Sequence, residues 1–157
     1  MAAVVIADQV TKIWVTQTIA PDTYNNPPPV TVVGGFFYFV NITNRGAAWG
    51  QLAGYSTWLA WLAVVALVGI YFSRRQLELH RPLLQYSFGL LCGGIIGNLL
   101  DRGLRPTHDV VDFLDFHFGS YRFPAFNVAD SGITVGVTIY LLYSFRDWAP
   151  GRAHSHE

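Results

Sequence analysis

The sequence predicts an α-helical polytopic membrane protein: four transmembrane helices carrying a small extracytoplasmic β-rich cap. Three observations predict it. Of 157 residues, 52% are hydrophobic and only 13% charged, whereas a water-facing surface normally needs about a quarter of its residues charged. Four stretches approach the roughly 20 mostly apolar residues that cross a bilayer. Between them lie two longer segments whose runs VTVVGGFFYFVNIT and VVDFLDFHF are β-branched and aromatic, and read as strands. The chain has room for one domain and not comfortably for two, so residues 1–157 are expected to form a single membrane-embedded domain.

The first span runs from about residue 2 to 20 and is interrupted by Asp8 and Lys12, charges that a cleavable signal segment would not carry in its apolar core. The segment 21–54 follows, opening with the turn-rich PDTYNNPPP. The second span, 55–73, and the third, 82–100, contain no charge; the third ends at Asp101 and Arg102. Residues 101–126 form the second polar excursion, with VVDFLDFHF bracketed by Pro106 and Gly119. The fourth span, 127–145, has Asp130 as its only charge. Arg74, Arg75 and Arg81 lie between spans two and three, and Arg146 and Arg152 follow span four. Positive charge marks the cytoplasmic side, which puts both termini there and the segments 21–54 and 101–126 outside. Open strand edges are not tolerated in hydrocarbon, so the cap is expected at the membrane surface. Gly34–Phe39, aromatic and glycine-containing, is a candidate gate over a site.

Several function classes are set aside by composition. Ten basic residues balance ten acidic ones, so no basic excess points to nucleic acid. Cys92 is the only cysteine; in its apolar run it reads as a packing residue, with no disulfide and no thiolate cage. The five histidines give no metal spacing, and no cofactor is expected.

Charge inside a membrane span costs at least about 2.5 kcal/mol per residue at the helix centre, and here such residues cluster. Asp8 and Lys12, in DQVTK, are four apart and share a helical face, as an intrahelical ion pair, as a polar face turned to a site, or both. Asn44 opens NRGAAWG and is either a loop residue before span two or an amide for a substrate backbone. Asn98, Asp101 and Arg102, in GNLLDR, fall on one face. Arg102 either pairs with Asp101 and snorkels to the interface or helps line a polar cavity, and Gly93, Gly94 and Gly97 suit close helix packing. Asp112 and Asp115, in VVDFLDF, point to opposite faces of a strand, so that one can face a cavity while the other faces water. Asp130, in FNVADSG, is explained equally well as a helix-capping partner of Asn127 or as a site carboxylate.

In order along the chain, DQVTK, NRGAAWG, GNLLDR, VVDFLDF and FNVADS, interleaved with four spans, resemble the prolipoprotein signal peptidase (signal peptidase II) family. The resemblance implies a four-helix bacterial cytoplasmic-membrane protein with cytoplasmic termini and a β-cradle on the extracytoplasmic surface. It implies an aspartyl endopeptidase that cuts diacylglyceryl-modified prolipoproteins just before the lipidated cysteine. The catalytic aspartates map onto Asp112 and Asp130, not Asp115, and the supporting residues onto Asp8, Lys12, Asn44, Asn98, Asp101, Arg102 and Asn127. Substrate and membrane lipid are the implied partners, and a monomer the expected state. Two departures stand out: only seven residues precede Asp8, where relatives carry a longer apolar lead, and Trp49 stands where Phe is usual.

Peptide hydrolysis without a metal or covalent nucleophile needs one group to activate water and another to protonate the leaving nitrogen. Two carboxylates sharing a proton do both. Arg102 and Asn44 are candidates for positioning the substrate backbone. A small transporter using Asp8, Lys12, Asp101 and Asp130 as a polar pathway would also explain intramembrane charge, and an inactive scaffold would explain the fold.

Overall fold

Four apolar helices and one small sheet account for the regular structure of the computed structural model, which describes residues 1–23, 29–46 and 54–148. The helices are α1 (Ala2–Thr18), α2 (Ser56–Ser73), α3 (Pro82–Leu104) and α4 (Val128–Trp148). Three of them, Ser56–Ser73, Pro82–Leu104 and Val128–Arg146, are long and apolar enough to cross a membrane. Helix α1 has 17 residues and buries Asp8, Lys12 and Val15; it stops at Thr18, two residues short of the expected limit. Helix α3 begins on Pro82, whose missing N–H costs nothing in a first turn. It runs four residues past its expected end because Asp101, buried within it, finds partners inside the protein.

The exposure pattern is inverted relative to a water-soluble fold. Among the described residues, more polar than apolar side chains are buried, while Trp58, Val65 and Phe72 of α2 stand 71%, 64% and 73% exposed. Such a surface is stable only where the solvent is itself apolar.

Glycine brings α3 and α4 together. A Cβ on Gly94 would collide with the Ala129 carbonyl oxygen and Ile133, and one on Gly136 would lie 2.6 Å from the Ser87 oxygen. Backbones this close form a rigid seam.

Strands β1 (Val30–Val33), β2 (Phe37–Asn44), β3 (Val110–Phe118) and β4 (Tyr121–Arg122) form one antiparallel sheet in that order. The β3–β4 turn is the two residues Gly119 and Ser120, with Gly119 at φ +63°, the left-handed conformation such tight hairpins require. On β3, Val111 and Phe113 pack against Val15 and Ile19 at the end of α1. Alternation then turns Val110 and Asp112 the other way, into a cavity. The sheet thus hangs on α1 and delivers one carboxylate to the helix bundle.

Candidate active site

Asp112 and Asp130 line the same cavity of about 720 Å³. One comes from the middle of β3 and the other from the first turn of α4, and Asn127 ties them together. Its side-chain Nδ2 donates to Asp112 Oδ1 at 2.7 Å, and its backbone N–H donates to Asp130 Oδ2 at 3.2 Å. Asn127 Oδ1 in turn accepts from the Asp130 backbone N–H at 2.9 Å, closing a reciprocal helix cap. Capping and cavity lining, alternatives in the sequence, coexist because Asp130 uses one oxygen for each: Oδ1 takes Asn98 Nδ2 at 2.7 Å.

Three asparagines surround the pair, and each is held in one orientation by what its carbonyl end accepts. Asn44 Oδ1 accepts the Gly46 N–H, so Nδ2 faces Asp112 Oδ2 at 2.9 Å. Asn98 Oδ1 accepts Lys12 Nζ at 2.9 Å, so its Nδ2 faces Asp130. An ammonium has only donors, so Lys12 rules out the flipped amide. Each carboxylate oxygen of the pair therefore receives one neutral donor and keeps a lone pair for water or a proton.

Electrostatics follow from that placement. Burial first, and the Asp130 charge after it, raise the Asp112 carboxyl from 3.8 to about 7, against the opposing hydrogen bonds of Asn44 and Asn127 and the Lys12 charge. A carboxyl poised near neutrality can both take and give a proton.

Behind the pair lies a second, closed cluster. Lys12, fully buried, bridges Asp8 Oδ2 and Asp101 Oδ2 at 2.8 Å each. Asp8 Oδ1 accepts the Ala129 N–H at the start of α4, and Gln9 Nε2 reaches Asp8, Asp101 and the Gly97 carbonyl. Gln9 was not singled out from the sequence; a glutamine inside an apolar span beside Asp8 was the available signal. Asp8, Lys12 and Asp101 have at most 1% exposure and are internally paired, an arrangement that locks helices and offers no hydrated pathway.

Of the two readings open for Arg102 the cavity-lining one holds, and the reading of Asp115 needs correction. Arg102 does not pair with Asp101, which Lys12 and Arg105 occupy. Arg102 instead turns to the cavity, where Nη2 donates to the Gly46 carbonyl at 2.8 Å and the buried Nε has no partner among the described residues. Asp115 does not face water either: it is 0% exposed and meets Arg122 and His117. Gly34–Phe39 contributes nothing to the cavity wall. Ala47, Ala48, Trp49 and Gly50 of NRGAAWG lie outside the described residues.

A family model described as signal peptidase (SPase) II matches residues 1–146. The lipoprotein signal peptidase of Oleidesulfovibrio alaskensis is 46% identical over 154 residues, covering 93% of this chain and 92% of that protein. That of Azoarcus sp. is 44% identical, covering 99% and 82% respectively. A solved structure described as a bacterial membrane enzyme at 2.3 Å superposes with TM-score 0.86 and 30% identity, covering 99% of this chain and 91% of the other.

Proposed function

The chain belongs to the signal peptidase II family, peptidases that cleave the signal peptides of prolipoproteins, and on that premise we propose that Asp112 and Asp130 are its catalytic dyad. The observation that carries this reading is the pairing itself: two buried carboxylates from separate elements, bridged by Asn127 and lining one cavity.

The pair works as a unit with one proton between its two carboxyls. The ionised carboxylate takes a proton from water as the water oxygen bonds to the scissile carbonyl carbon. The protonated partner gives its proton to the amide nitrogen as the C–N bond breaks. The dyad ends as it began, with one proton. Arg102, through an Nε that has no partner among the described residues, and Asn44 hold the substrate backbone. No cofactor enters the reaction.

The finer architecture belongs to the same proposal. One membrane-embedded domain comprises α2, α3 and α4 as spans with α1 as the fourth, its Asp8–Lys12 pair turned inward. The arginines at 74, 75, 81 and 146 keep both termini cytoplasmic, and the sheet rests on the extracytoplasmic surface. The substrate is a diacylglyceryl-modified prolipoprotein, cut just before the lipidated cysteine. Each buried methylene of its lipid holds it at the interface by about 0.8 kcal/mol, at the depth of the dyad. The enzyme acts as a monomer.

The test is cleavage of a lipidated prolipoprotein peptide by the purified protein in detergent or lipid. Wild type should release the signal peptide, and Asp112→Asn and Asp130→Asn should each be inert while fully folded. Near-normal turnover by either variant refutes the dyad; an inert wild type makes the chain a scaffold.

A further inference from the structure

One wall of the cavity is a single stretch of chain, Phe123, Pro124, Ala125 and Phe126. It belongs to no helix or strand, and its far end is fixed: Phe113 N–H and Leu114 N–H both donate to the Phe126 carbonyl, at 3.0 and 2.8 Å, and Asn127 follows as the α4 cap. Its near end is tied to β3 too, by the Phe123 N–H donating to the Phe116 carbonyl at 2.8 Å, and by a side-chain contact besides. Arg122, the residue just before it, makes a two-point contact with Asp115, Nε to Oδ1 at 2.8 Å and Nη2 to Oδ2 at 2.6 Å. His117 Nε2 lies 2.9 Å from the same Oδ2, and its ring packs tilted at 44° against Tyr38, 4.7 Å between centroids. His117 and Arg122 are cross-strand partners and both reach Asp115, so the three side chains gather on one side of the hairpin.

We propose that the Asp115–Arg122 pair is a positioning device for substrate affinity, which holds the Phe123–Phe126 wall at the depth the substrate requires. Asp115 is wholly buried, and an unpaired buried carboxylate is not tolerated, so Arg122 is held to one place. A planar two-point contact fixes direction as well as distance, which a lysine would do less well. The Phe123 N–H bond to the Phe116 carbonyl keeps the near end on β3, and the Arg122 contact sets its fine position; because the dyad end of the wall is anchored separately by β3 and the Asn127 cap, loosening that contact shifts the near end and leaves the carboxylates in register. The proposal rests on the cavity being where the prolipoprotein binds.

The test is the separation of KM from kcat on the lipidated prolipoprotein peptide, with the Kd of the same peptide measured in an Asp112→Asn background. Arg122→Gln should raise KM and Kd about five- to tenfold with kcat within about twofold. Arg122→Lys, which restores the charge without the two-point contact, should recover only part of the loss. The double variant Asp115→Asn/Arg122→Gln, which leaves no buried charge unpaired, covers the case in which Arg122→Gln fails to fold, and should keep the raised KM. A fall in kcat at unchanged KM, or a folded double variant with wild-type KM and Kd, overturns the proposal. Cleavage persisting in Asp112→Asn would overturn the dyad alone, and a raised KM in Arg122→Gln would still support the wall.

Discussion

Asp112 and Asp115 stand three residues apart on one strand, both buried, yet their surroundings treat a carboxylate in opposite ways. Asp115 meets a guanidinium at two points, a full counter-charge. Among the described residues Asp112 receives hydrogen bonds only from neutral amides, of Asn44 and Asn127, and the charge of Asp130 acts on it besides. Burial then prevails and its pKa rises to about 7. The difference teaches that the donors around a buried acid, more than its burial, decide whether it can exchange a proton.

The sharpest way to break the comparison is to neutralise each aspartate in turn. Asp112→Asn and Asp130→Asn should each lower kcat by on the order of 10³-fold or more, whereas Asp115→Asn should lower it by less than about tenfold and act chiefly on KM. Equal losses at 112 and 115 would erase the distinction. Next in size is Asn98→Ala. It removes the donor to Asp130, a hydrogen bond to a charged group worth about 1.5–3 kcal/mol, and with it the acceptor for Lys12 and Asn127, so kcat should fall by at least about 10- to 10²-fold with KM little changed.

A smaller effect is expected from pH. Asp112 carries its proton below about 7 and loses it above. Since the dyad needs one proton, kcat should fall as pH rises through about 7, roughly tenfold per further unit. A flat profile across that range would remove Asp112 as the titrating group. The smallest effect concerns the frame. Gly94→Ala places a methyl against the Ala129 carbonyl and Ile133, an overpacking that costs about 1–3 kcal/mol. A melting temperature unchanged by this substitution would mean that α3 and α4 are less tightly packed than described.

Much of this was legible in the sequence, for reasons that differ by residue. The cap of α4 by Asn127 and Asp130 is local, set by a spacing of three, and the Asp8–Lys12 pair by a spacing of four. The inward turn of polar residues follows from the cost of charge in lipid. What could not be read was partner choice across elements. Asp101 and Arg102 are adjacent, but Lys12 arrives from α1 and takes Asp101, which frees Arg102 for the Gly46 carbonyl. Asp115 looked water-facing because alternation says only that it opposes Asp112. The two-residue turn at Gly119–Ser120 brings Arg122 onto that face and covers it.

The shared proton is tested most directly by following the carboxylic-acid carbonyl band in the infrared as pH is varied, in wild type and in Asp130→Asn. A protonated carboxyl titrating at about pH 7 in the wild type, and at lower pH once the Asp130 charge is gone, is the predicted result. A band whose titration ignores Asp130→Asn, or no protonated carboxyl just below neutrality, would contradict it.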